Sequence, residues 1–103
     1  MGVKFANNAV GYLASSISAS DVGLVVEAGQ GARFPVLGAS EYFFATLVNP
    51  SGELEIVKVT ARSFDAMTIL RAQEGTTARS FVAGARVELR LTAQGLQNLV
   101  DGV

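Results

Sequence analysis

The sequence contains no cysteine, no histidine and no tryptophan. Without cysteine there is no disulfide and no thiolate metal site, and the redox compartment stays open. Without histidine, zinc, copper and iron sites lose their best ligands, and acid–base catalysis loses its most frequent group. No metal and no cofactor is expected. Charge is scarce as well: 17% of the residues are charged, 8 basic and 9 acidic, for a net charge of −1. The two signs are interspersed, so no basic run exists to neutralise a phosphate backbone or an anionic membrane. Nucleic-acid and membrane partners are therefore not expected. No apolar run approaches the roughly 20 residues of a membrane span. The opening stretch MGVKFANNAVGYLASS has no signal-peptide core, and Ala6 stands where a myristoylation pattern has Ser or Thr.

What is present is apolar: 50% of 103 residues are hydrophobic. A chain of this length makes one domain with a modest core, because small domains bury a smaller share of their surface. Part of the apolar surface is expected to face other subunits, which points to a homo-oligomer.

Short apolar runs broken by turn residues mark an all-β domain. AVGYLASSIS, from Ala9, reads either as a strand or as an N-terminal arm, and VGLVVE, Val22 to Glu27, as a strand. EYFFATLVN, Glu41 to Asn49, is strongly apolar, and NPSG turns it into ELEIVKVTA, Glu53 to Ala61. In that strand Glu53, Glu55, Val57 and Val59 share one face; neither face is cleanly polar, so both are expected to be partly covered. RSFDA reads as a second hairpin turn and MTILRA as the next strand. ARVELRLT alternates strictly, with Val87, Leu89 and Leu91 on one side and Arg86, Glu88 and Arg90 on the other. TAQGLQNLVDGV reads as a short C-terminal helix, with Thr92 as N-cap and Leu96, Leu99 and Val100 as an apolar stripe. The expectation is a small β-barrel or sandwich of about six strands with that helix.

Chemistry finds little footing. Glu53 and Glu55, two apart beside a turn, read as a solvated hairpin face. Ser15 and Ser16 have no histidine to activate them, GQG at Gly29 has no phosphate-loop lysine after it, and DVG at Asp21 lacks the acidic ligands of a calcium loop. No catalytic residue is assigned. A sugar site would want exposed aromatic platforms, and only Tyr12 and Tyr42 accompany the phenylalanines.

RAQEGTTARSFVAGARVELRLTA, from Arg71, is the densest polar stretch. Arg71, Glu74 and Arg79 could grip a polar ligand; alternatively Glu74 and Gly75 turn the chain, Thr76 and Thr77 satisfy backbone groups, and Arg71 or Arg79 pairs with Glu74. Phe81 and Val82 are expected to pack back on the core. The reading favours a shaped loop, with Arg71, Glu74, Gly75 and Arg79 as protein-contact residues.

The pieces YFFATL, EIVKVTAR, TILRAQEGTTAR, AGARVELRLTA and, upstream, ANNAVGYLASSISASDVGLVVEAGQGARFP together resemble a β-module of tailed-bacteriophage virion proteins. It is similar to the short domain near the start of many tail fibre and tail proteins, which also occurs as small stand-alone virion proteins. The resemblance runs from about Phe5 to Ala93, and RAQEGTTAR is its most specific part. Phe64 departs from it where glycine is usual, and Phe81 where tryptophan is usual. The resemblance implies a non-enzymatic virion protein that binds other virion proteins. Since only about ten residues follow the match, a small tail or fibre adaptor is expected rather than a whole fibre. A capsid decoration protein is the alternative, and trimers are the first expectation. The organisation expected is a docking arm over 1–20 with Phe5, Tyr12 and Leu13 as contacts, a β-domain over 21–92 and a helix or tail over 93–103. The arm's apolar residues look too few for a core, so its removal through Ser20 is expected to leave a folded domain.

Overall fold

The computed structural model describes residues 9–89 and the backbone of Gly2–Val3. The strands are β1 (Gly2–Val3), β2 (Val10–Tyr12), β3 (Gly23–Val25), β4 (Glu41–Val48), β5 (Leu54–Ser63), β6 (Ala66–Gln73) and β7 (Arg86–Leu89), with a one-turn 3₁₀ helix at Gln30–Arg33. Antiparallel pairing in the order β2-β7-β4-β5-β6-β3 makes one curled, half-barrel sheet, and β1 joins β4 in parallel. The two end strands approach each other: Leu13 bridges Val26, the Ala14 N–H donates to the Val25 carbonyl (2.8 Å) and the Glu27 N–H to the Tyr12 carbonyl (2.9 Å).

Alternation decides what faces the concave side. Phe43, Ala45 and Leu47 from β4, Val57 and Val59 from β5, Met67 and Ile69 from β6, and Val87 and Leu89 from β7 form the core. β4 is buried on both faces between its end residues, in keeping with its strongly apolar sequence. The outward residues Ile56, Lys58 and Thr60 of β5 are half-buried, so that strand is partly covered on both sides.

The hairpin turns follow local chemistry. In NPSG, Asn49 and Glu53 close the loop and Gly52 takes φ 99°, a left-handed position suited to glycine. At the β5–β6 turn, Phe64 itself adopts φ 56°. The Asp65 carboxylate beside it accepts the Gly29 and Gly31 N–H groups (3.2 and 2.8 Å), fastening the 3₁₀ turn to the hairpin. The fit is tight: a Cβ on Gly31 would lie 2.0 Å from the Phe64 carbonyl oxygen.

The docking-arm reading of 1–20 needs correction from Ala9 onward. Ala9, Leu13 and Ile17 belong to the core, β2 pairs with β7, and Ile17 and Phe81 exchange backbone hydrogen bonds (2.9 and 3.0 Å). Burial alternates from Ala9 through Gly11 to Leu13, and the bend at Ser15 and Ser16 then delays the next inward residue to Ile17. Phe5 and the helix expected over 93–103 lie outside the described residues. Among those described there is no α-helix, and no helix long and apolar enough to cross a membrane.

Candidate functional site

The inward rows of β5 and β6 each end in a charge. On β5 the row is Val59, Val57, Glu55; on β6 it is Met67, Ile69, Arg71. Their register brings the two charges together at one end of the core. The Arg71 Nε–H donates to Glu55 Oε2 (2.9 Å) and Nη2–H to Oε1 (2.8 Å), a bidentate pair. The Glu55 side chain is 0% exposed and that of Arg71 8%.

The remaining donors of the guanidinium tie down three stretches of chain. Nη1 donates to the Ser18 carbonyl (2.7 Å) and the Asp21 carbonyl (2.8 Å), and Nη2 to the Arg79 carbonyl (2.5 Å). All five guanidinium N–H groups are thereby used. Glu55 also accepts the Ala72 N–H at Oε2 (2.8 Å) and the Arg79 N–H at Oε1 (2.9 Å). A β-bulge aims the first of these. Ile56 faces Gln73 but Lys58 faces Leu70, so Arg71 and Ala72 together oppose Val57, and Ala72 takes φ 55°.

Burial by itself raises the Glu55 pKa, but the Arg71 hydrogen bonds, the Ala72 and Arg79 N–H groups and the Arg71 charge outweigh it. The carboxyl is held below its ordinary value and stays ionised at neutral pH.

The adjoining turn Gln73–Thr76 has positive φ at both central residues, Glu74 (54°) and Gly75 (81°), the sign pattern of a type I′ turn. The Thr76 N–H closes it onto the Gln73 carbonyl (3.0 Å). The Thr76 hydroxyl donates to that same carbonyl (2.7 Å) and accepts the Ile56 N–H (3.1 Å). From there the chain runs to Ser80, where Asn49 holds it: Nδ2 donates to the Ser80 carbonyl (3.1 Å) and Oδ1 accepts the Val82 N–H (3.2 Å).

Several sequence expectations change here. Arg71 pairs with Glu55 rather than Glu74. Glu55 lies in the core rather than on a solvated face, because it shares the inward row of Val57 and Val59. Arg79 contributes its backbone N–H and carbonyl to the cluster. Gly75 is the positive-φ residue expected, and Glu74 shares that conformation. Phe81 is buried as expected, whereas Val82 is exposed. Of the proposed arm contacts, Tyr12 is exposed on β2 and Leu13 is in the core. Arg71, Glu74, Gly75 and Arg79 therefore share one neighbourhood, to which the sequence reading failed to assign Glu55. The signal was available: a glutamate at the end of an apolar row, with an arginine in the same place on the next strand.

An open groove of about 480 Å³ lies alongside β3, bordered by Ser15, Asp21, Val25, Arg62, Met67 and Thr68. Its charged side chains serve the fold: Asp21 accepts the Ser18 N–H (2.8 Å), and Arg62 donates to the carbonyls of Pro35 (3.1 Å) and Phe64 (2.7 Å). No protein-family model matches the chain, and no curated protein does.

Proposed function

We propose that this chain is a non-enzymatic structural protein of a tailed-bacteriophage virion, a small adaptor or attachment subunit of the tail or fibre that binds other virion proteins. The observation that carries this reading is the use made of RAQEGTTAR. Arg71 and the backbone of Arg79 close on Glu55, Gly75 makes the turn, and Thr76 secures it, so the most distinctive motif serves to shape a loop. A carboxylate with these four hydrogen bonds and a lowered pKa is poorly suited to taking up a proton near neutral pH.

In this reading the curled sheet is a small barrel, and residues 93–103 add a short helix. The exposed apolar side chains Val22, Val36, Phe64 and Leu70 favour contacts with other subunits. Trimeric packing follows from the fibre resemblance. The test is a map of the intact particle into which the chain is placed. Density for it at the tail or fibre base supports the adaptor reading, density on the head shell supports decoration instead, and absence from purified particles overturns both.

A further inference from the structure

Two residues beside the β5–β6 hairpin are unexplained by the fold itself. Phe64 is 86% exposed and holds φ 56°, a conformation in which a bulky side chain is strained. Its mounting is firm. The Phe64 carbonyl accepts from Arg62 Nη1 (2.7 Å), the Asp65 carbonyl accepts the Val26 N–H (3.0 Å), and Gly31 lies hard against the Phe64 backbone. An exposed ring is thus presented on a rigid turn, where little ordering remains to be lost on docking.

Gly23 on β3 is the other. Every other glycine in residues 9–89 has either a positive φ or an atom within 3.2 Å of where its Cβ would stand. At Gly23 the nearest atom is the Met67 carbonyl oxygen, at 3.7 Å, so the fold has room for a side chain here. Glycine inside a strand weakens it, and it marks places where something approaches the backbone closely. The space at Gly23 is the groove alongside β3. Gly23 and Val25 face Thr68 and Ala66 across the β3–β6 ladder, and Ala66 faces Ser63 on β5. Ser63 and Ala66 flank the turn that carries Phe64. Knob and groove therefore adjoin the same hairpin, yet the exposure of Phe64 keeps its ring out of its own groove.

We propose that Phe64 of one copy of this chain seats in the groove beside Gly23 of another copy. The groove measures about 480 Å³, whereas a cavity of about 150 Å³ suffices for benzene. Its bordering charges, Asp21 and Arg62, are engaged with the chain's own backbone, which suits a neutral ring. A second copy is the fitting occupant because every copy carries both halves of the contact side by side. A knob-to-groove contact passes from copy to copy and closes into a ring. A ring of three is the trimer proposed above; the contact itself does not rest on that reading.

Sedimentation velocity over a concentration series tests this on the full chain, on Phe64→Gly, on Gly23→Phe and on an equal mixture of the two variants. Circular dichroism checks that each keeps its β signal. Phe64→Gly removes the knob, and Gly23→Phe fills the groove. If Gly23→Phe does not fold, Gly23→Val, smaller and suited to a strand, takes its place. The native chain is expected to associate. Each variant alone should associate roughly 10- to 100-fold more weakly, as loss of one buried aromatic side chain implies. The mixture should recover one-to-one pairing, because one variant keeps the knob and the other the open groove. A native chain that stays monomeric at high concentration overturns the proposal, and the ring is then left for a different protein. So does undiminished association of Phe64→Gly, or a mixture that pairs no better than its parts. Native assemblies of a size other than three, weakened by both variants, support the contact and overturn the trimer alone.

Discussion

Glu55 is the residue on which most of the local order converges. Its carboxylate accepts from Arg71 twice and from the Ala72 and Arg79 N–H groups. Removing one partner of a buried ion pair leaves the other charge without compensation, at a cost of about 3–5 kcal/mol. Glu55→Gln is expected to lower stability by that amount in urea melts, because the new amide presents donors to donors. Glu74→Gln, in the half-buried turn, should cost clearly less; the reverse ranking would make Glu74 rather than Glu55 the residue that holds the domain together. Phe64 makes the opposite case. It is 86% exposed and holds φ 56°, a left-handed conformation that costs an L-residue about 1 kcal/mol or more. Phe64→Gly should therefore raise the melting temperature, less the extra chain entropy of glycine. Gly31→Ala should do the reverse, by about 3 kcal/mol, since the backbone at Phe64 and Asp65 cannot retreat without opening the hairpin.

At the scale of elements, the question is where the domain begins. β2 supplies a strand to β7, and Leu13 and Ile17 supply core. Ser18 supplies one of the carbonyls that accept from Arg71. A chain lacking residues 1–20 loses all of these together, and far-UV circular dichroism is expected to show an unfolded or aggregating protein. A cooperative urea transition from that truncated chain would restore the docking-arm view.

For the whole molecule, the ion pair contributes to the acid limb of stability. The folded Glu55 pKa lies below its ordinary value, so the folded state binds its proton less readily than the unfolded chain does. This contribution is complete above the ordinary glutamate pKa and is lost as pH falls from there through the lower folded value. Urea unfolding across an acid pH series should show the stability of the native chain falling toward that of Glu55→Gln. A gap that stays constant through the acid range would mean that Glu55 contributes no pH dependence.

Strand identity was legible in the sequence because it depends on neighbours along the chain. EYFFATLV, LEIVKVTARS and AMTILRAQ declare strands by β-branched and aromatic content, and NPSG and EGT declare turns by proline and glycine. Alternation even put Glu55 on the same face as Val57 and Val59. Tertiary structure decided which face was inside and which charge met which. The partner of Arg71 lies 16 residues back in the chain, across a bulge whose position no local pattern announces. Leu13 and Ile17 likewise entered the core through pairing with Val26 and Phe81, contacts made only once the sheet had curled. Local conformation follows from steric and hydrogen-bonding preferences within a few residues. Burial of a charge, or of a sparse apolar segment, depends on what the rest of the chain brings to it.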